Sequence, residues 1–210
     1  MLVAMATGTG KTFTIANLIY RLMKSGFAKR VLFLVDRRAL AAQAVTTMAS
    51  FEAEPGLKFD QIYEVYSQRI RKEDLDESMK FDLKLMPSNY LTSPSAKDTF
   101  VYVSTIQRMR INLFGSEEMF GVYSGDSDDD SDAAKLEIPI HAFDLVIADE
   151  CHRGYTAQEE SKWREVLNRF DGVKIGLTAT PAAHTKAFFK HMVYRYDYER
   201  AVTSRSLSDS

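Results

Sequence analysis

Eight residues near the start of the chain constrain its fold more than any others: Met5-Ala6-Thr7-Gly8-Thr9-Gly10-Lys11-Thr12. They follow the short apolar run Leu2-Val3-Ala4 and precede apolar residues at helical spacing, Phe13, Ile15, Ala16, Leu18, Ile19 and Leu22. A strand, a glycine-containing turn ending in Gly-Lys-Thr and a helix make a phosphate cradle, because turn N–H groups and the positive end of the helix dipole converge on an anion. Gly8 and Gly10 allow the close approach and the φ values that bulkier residues resist. The candidate nucleotide-binding residues are therefore Thr7, Gly8, Thr9, Gly10, Lys11 and Thr12. Lys11 can reach the β- and γ-phosphates of ATP, and the Thr12 hydroxyl can ligate Mg²⁺. The general pattern has a glycine where this chain has Met5, and a flexible turn opening an ordinary helix is the alternative.

Beyond the loop, strand and helix patterns alternate. The helical pattern ends at Ser25-Gly26, a plausible glycine cap. Val31-Leu32-Phe33-Leu34-Val35 is an uninterrupted apolar run of the kind a strand buried on both faces requires. Asp36 ends it and is placed to cap a helix carrying Leu40, Ala41, Ala44, Val45 and Met48 on one side. This order predicts an α/β domain with a parallel sheet flanked by helices. Arg37 and Arg38 fall at the carboxyl end of the second strand, where open parallel sheets place ligands. They read equally as phosphate contacts and as a solvated helix start.

The pattern from Phe51 to Ser95 is poor. Gln61 to Val65 resembles a short strand, and an irregular insertion is expected at about residues 66–98. Thr99 to Ser104 reads as a strand leading into a helix that begins at Thr105, with Gln107 and Arg108 beside it. A hydroxyl, an amide and a guanidinium at a helix start suit a phosphodiester backbone, although an ordinary capped helix has the same form. An acidic loop follows at about 121–135. It holds Asp126, Asp128, Asp129, Asp130 and Asp132, lacks the closing glutamate of a twelve-residue calcium loop, and reads as a disordered surface insertion. Removing those five leaves 24 acids against 27 basic residues, so the net charge of −2 does not decide the partners.

Phe143 to Ala148 is a further buried strand, delivering Asp149-Glu150-Cys151-His152 at its carboxyl end. Adjacent carboxylates repel unless a cation or hydrogen bonds offset them. A magnesium ion between Thr12 and Asp149 would do so, leaving Glu150 to orient the attacking water as catalytic base. Cys151 is the single cysteine and His141, His184 and His191 make no ligand pattern with it, which argues against zinc or Cys/His nucleophilic chemistry. Trp163, Val166, Leu167 and Phe170 form the apolar face of the next helix. Val173 to Leu177 then reads as a strand ending in Thr178-Ala179-Thr180-Pro181, whose hydroxyls can bond the acids or the γ-phosphate.

Ala6 to Thr12, Asp149-Glu150-Cys151-His152 and Thr178-Ala179-Thr180 resemble, in order and arrangement, motifs I, II and III of superfamily 2 helicases and translocases. In that family Met5 in place of glycine is no departure. More narrowly, Leu32 to Leu40, Ser104 to Met109, Asp149 to Gly154 and Ile175 to Pro181 resemble the motor of the R subunit of type I restriction enzymes. The resemblance implies a RecA-like P-loop NTPase fold, with ATP and Mg²⁺ held by Lys11, Thr12 and Asp149 and with Glu150 as base. It implies coupling through His152, Thr178 and Thr180, and DNA contact through Arg37, Arg38, Thr105, Gln107 and Arg108. The partners implied are double-stranded DNA, a second RecA-like lobe with an arginine finger, a nuclease domain of the same parent chain, and modification and specificity subunits.

One ATP-binding lobe is expected over 1–198, with 199–210 starting a linker. The closeness of the loop to the start of the chain suggests a piece of something longer. A lone cysteine, no apolar run of membrane-spanning length and no signal-peptide pattern lead us to expect a cytoplasmic protein with no membrane partner. The rival functions are the motor lobe of another superfamily 2 helicase, such as a repair helicase, and a non-catalytic nucleotide-gated DNA-binding module.

Overall fold

Alternate residues of the Val31 to Val35 run enter two different cores. Val31, Phe33 and Val35 lie in one, while Leu32 and Leu34 lie in the other, and all five are buried. Such a strand needs helices on both sides of its sheet. The computed structural model describes residues 1–6, 9–70, 84–115, 133–150 and 157–196. Within them the strands are β1 (Leu2–Met5), β2 (Arg30–Val35), β3 (Glu52–Glu54), β4 (Leu57–Lys58), β5 (Glu64–Ser67), β6 (Lys84–Leu85), β7 (Phe100–Thr105), β8 (Leu145–Ala148), β9 (Val173–Thr178) and β10 (Met192–Tyr196). The helices are α1 (Lys11–Lys24), α2 (Arg38–Ser50), α3 (Phe59–Ile62), α4 (Ser88–Thr92), α5 (Ile106–Phe114), α6 (Ala157–Arg169) and α7 (Ala183–Phe188).

Eight strands form one sheet in the order β10-β1-β9-β8-β2-β7-β5-β6, with every neighbouring pair parallel. Only β3 and β4 pair antiparallel, as a separate ribbon. Helices α1, α2 and α3 cover one face with Ile15, Ile19, Ala41, Val45, Met48 and Phe59. Helices α5 and α6 cover the other with Met109, Leu113, Trp163, Val166 and Leu167. Because all eight strands run the same way, their carboxyl ends share one edge. Register aligns Ala148 of β8 with Leu34 of β2 and Gly176 of β9, so the segments after β8, β2 and β9 emerge side by side.

Local signals explain most boundaries. Helix α1 stops where Gly26 takes φ 74°, with Gly26 N–H bonding Met23 O and Phe27 N–H bonding Leu22 O, the glycine-terminated cap its sequence predicts. Asp36 does not cap α2, however. Arg37 occupies that position with an extended backbone and no side-chain cap, while Asp36 pairs with the Arg37 guanidinium at 3.4 Å.

The expected strand over 61–65 is also displaced. Residues 59–62 form the single turn α3, stitched to the end of α2 by Phe59 N–H to Phe51 O, and the strand runs Glu64–Ser67. Strand β8 starts at Leu145, two residues late, because Asp144 is tied into the turn before it. The stretch expected to be irregular contains β6 and α4. Strand β10, unforeseen, pairs with β1. The acidic segment over 116–132 and the boundary after residue 196 lie outside the described residues.

Candidate functional site

The turn after β1 closes on itself before it opens the helix. The Thr9 hydroxyl donates to Ala6 O at 2.7 Å, and Gly10 takes φ 78° as the residue preceding α1. Only glycine adopts that backbone freely. Helix α1 carries no side-chain cap and no acidic residue in its first turn, which leaves its amino terminus suited to an anion. Thr7 and Gly8 lie outside the described residues.

Lys11, the first residue of α1, reaches across the edge to the acids after β8. Its Nζ donates to Glu150 Oε1 and stands 3.4 Å from Asp149 Oδ1. All three side chains are largely buried, at 12, 13 and 15% exposure for Lys11, Asp149 and Glu150. Asp149 extends the β8 ladder through its N–H to Leu34 O at 2.8 Å and accepts the Glu150 N–H at 2.9 Å. Burial pushes its carboxyl above the ordinary aspartate range; Lys11 opposes that and Glu150 adds to it. Glu150 has φ 52°, the one non-glycine residue with positive φ among those described. Backbone held in that region costs energy and concentrates at functional sites.

A divalent cation would fit this donor set. Magnesium takes one or two carboxylates together with substrate phosphates and waters. Asp149 and Glu150 supply carboxylates beside Lys11 at the end of β8, and Thr12, the residue after Lys11 in α1, carries a hydroxyl. On the neighbouring strand Thr178 is fully buried, and its hydroxyl accepts the Thr180 N–H at 3.2 Å. His152 lies outside the described residues.

The five residues expected to meet DNA divide into two kinds. Arg37 is exposed, and Arg38, Gln107 and Arg108 are partly so. Thr105 is instead buried at 3% exposure, and its hydroxyl caps α5 by accepting the Arg108 N–H at 3.2 Å. It shapes the start of the helix rather than presenting a hydroxyl to solvent. Sequence reasoning passed over Gln68, which is buried beside Thr105 and bonds it. The available signal was an amide one residue past a strand that ends the apolar run.

A parallel sheet with a phosphate loop after β1 and paired acids after β8, two strands away, defines the RecA-like lobe of a P-loop motor. The chain belongs to the family described as "Type III restriction enzyme, res subunit", whose model matches residues 1–183. It is 33% identical over 224 residues to the type I restriction enzyme EcoKI endonuclease subunit of Escherichia coli K12, covering all of this chain and 16% of that one. It is 31% identical over 207 residues to the EcoAI endonuclease subunit of Escherichia coli, covering 96% of this chain and 20% of that one. The chain thus spans a fifth or less of the curated relatives it matches.

Two solved structures share the fold. One is a nuclease-deletion mutant of the Type ISP restriction-modification enzyme LlaGI in complex with a DNA substrate mimic, with TM-score 0.59, 22% identity, and 97% of this chain and 18% of that chain covered. The other is the Pyrococcus furiosus Hef helicase domain, with TM-score 0.53, 20% identity, and 93% and 34% covered. The chain thus combines a RecA-like fold with membership of a restriction-subunit family.

Proposed function

We propose that this lobe binds ATP with Mg²⁺ and, in its full-length parent, drives translocation along double-stranded DNA as part of a type I restriction R subunit. The observation that carries the reading is the meeting of Lys11 with Asp149 and Glu150, the last 139 residues away in sequence. The lysine charge offsets the two acids. When a triphosphate enters the cradle, Lys11 turns to the phosphate oxygens, and the Glu150 carboxylate accepts a proton from the attacking water. Thr12 and Asp149 would hold the Mg²⁺, which when bound neutralises charge building between the β- and γ-phosphates. Thr178 and Thr180 sit where nucleotide state can be passed to the next strand, and His152 is assigned the same coupling role from its motif.

Arg37, Arg38, Gln107 and Arg108 are assigned to the DNA backbone, with Thr105 setting the helix that carries the last two. The lobe alone should bind Mg·ATP weakly and turn it over slowly, because half of the cleft and its transition-state arginine belong to a second RecA-like lobe. A nuclease domain in the parent and separate modification and specificity subunits complete the proposed assembly. No helix among the described residues is long and apolar enough to cross a membrane; the cytoplasmic setting is part of the proposal.

The test is ATP hydrolysis by the full-length protein with duplex DNA, single strands or RNA. Duplex should stimulate most, and Glu150→Gln should keep ATP binding while losing turnover and translocation. Preference for single strands or RNA would move the chain to another helicase class. Undiminished function in Glu150→Gln would leave only a nucleotide-gated binding module.

A further inference from the structure

At the β7 side of the sheet, the carboxyl ends of β5 and β7 are joined by a side chain as well as by backbone. Strand β5 stops at Ser67, and Gln68 makes one further ladder bond, its N–H to Val103 O at 3.1 Å. Its side-chain oxygen then accepts three donors: Thr105 N–H at 2.7 Å, Thr105 Oγ1 at 3.0 Å and Ser104 Oγ at 3.2 Å. Gln68, Ser104 and Thr105 are 3, 0 and 3% exposed. The amide orientation follows from chemistry, because a backbone N–H can only donate and must face the oxygen. Consequently the Gln68 Nε2 is left buried without a partner among the described residues, as is the neighbouring Ser67 hydroxyl.

A buried amide with half of its hydrogen-bonding capacity unused is costly, and an apolar side chain would fill the space more cheaply. What an apolar side chain cannot do is hold the Thr105 N–H and fix the hydroxyl that caps α5. That hydroxyl accepts the Arg108 N–H, so a single oxygen on Gln68 determines where the first turn of α5 begins. Gln107 and Arg108 lie on that turn.

We propose that Gln68 is a positioning residue for the DNA-facing edge, aligning the first turn of α5 so that Gln107 and Arg108 meet the phosphodiester backbone. The inference rests on the DNA-motor reading above. Gln68 itself makes no phosphate contact, since its free nitrogen is buried.

The experiment measures, in the full-length protein, the duplex concentration giving half-maximal ATPase stimulation, its dependence on salt, and nucleotide affinity without DNA. Gln68→Leu should raise the half-maximal DNA concentration about tenfold while leaving nucleotide affinity within about twofold and the salt slope unchanged, since no phosphate contact is removed. Arg108→Ala, in contrast, should lower the salt slope by about one. Gln68→Glu keeps the accepting oxygen and should recover the DNA response to within about threefold of the parent; this variant also serves if the leucine variant does not fold. A Gln68→Leu protein with an unchanged DNA response overturns the proposal, as does one that loses nucleotide affinity in parallel, or a Gln68→Glu protein as impaired as the leucine variant. If the parent itself shows no DNA stimulation, the motor reading fails first and the positioning role falls with it.

Discussion

Two aspartates bracket strand β8, and the protein treats them in opposite ways. Asp144, just before the strand, accepts the backbone N–H groups of Lys29 and Arg30 at 2.9 Å each and the Arg30 guanidinium at 3.0 Å. Burial alone would raise its carboxyl, but those three donors and the arginine charge outweigh it and hold the group below the ordinary aspartate range. Asp149, just after the strand, is more deeply buried and less well served, and its carboxyl is pushed up. One end of β8 therefore carries an acid satisfied by the fold, while the other carries an acid whose charged form burial disfavours. Four residues of strand separate a fastening from the proposed site.

The sharpest way to break this contrast is at Glu150. Glu150→Gln should lower DNA-stimulated turnover about 10²- to 10⁴-fold in the full-length protein with nucleotide binding retained, the range expected for loss of a general base. Residual turnover near the parent's would remove the carboxylate end from the chemistry. Next comes the fastening itself. Asp144→Ala should cost about 2 kcal/mol of stability by leaving two strand-start N–H donors without their acceptor, read as a lowered denaturation midpoint. Because the folded carboxyl titrates below its unfolded value, the Asp144 contribution is present above about pH 4 and fades as the pH drops further.

Gly10→Ala tests the opening of the cradle. No atom lies within 4 Å of the added Cβ, so the expected loss of about 1 kcal/mol would come from φ 78° alone. The smallest effect has the opposite sign. Asp149→Asn should slightly raise the stability of the nucleotide-free protein while abolishing turnover, the trade expected when a site holds an ill-served charge. Its raised folded pKa means that the charged form penalises the fold. The gain should be absent below about pH 4 and should grow as the pH rises through the folded titration. Urea denaturation of parent and variant at pH 4 and pH 7 gives the sign, and a variant less stable than the parent at pH 7 refutes the contrast.

Much of this architecture could be read from the chain because strands buried on both faces must be continuous apolar runs. The runs Leu2 to Ala4, Val31 to Val35 and Phe143 to Ala148 announced strands in that way, the last beginning two residues later than read. The elements that escaped are those whose stability comes from distant partners. Strand β10 has Met192, Val193 and Tyr194 exposed and owes its conformation to pairing with β1. The turn α3 depends on a bond to the end of α2. Lys11, Asp149 and Glu150 stood out from local pattern as candidates, but the ion pairs among them were not legible, since these require β8 to lie two strands from β1. Thr105 was identified correctly as a helix start with the wrong use for its hydroxyl, because burial is a tertiary property. Asp144 read as part of a strand, and nothing in the sequence near it names Lys29 and Arg30 as its donors.

The placement of β1 between β9 and β10 has a consequence for how the chain comes to be folded. Both neighbours of that opening strand lie more than 160 residues downstream, so its ladder closes late and across very long loops, the slowest kind of pairing. Until β9 and β10 have been synthesised, Leu2 to Met5 lack both of their ladder partners. The turn that follows β1 is thus anchored only when the far end of the sheet is in place.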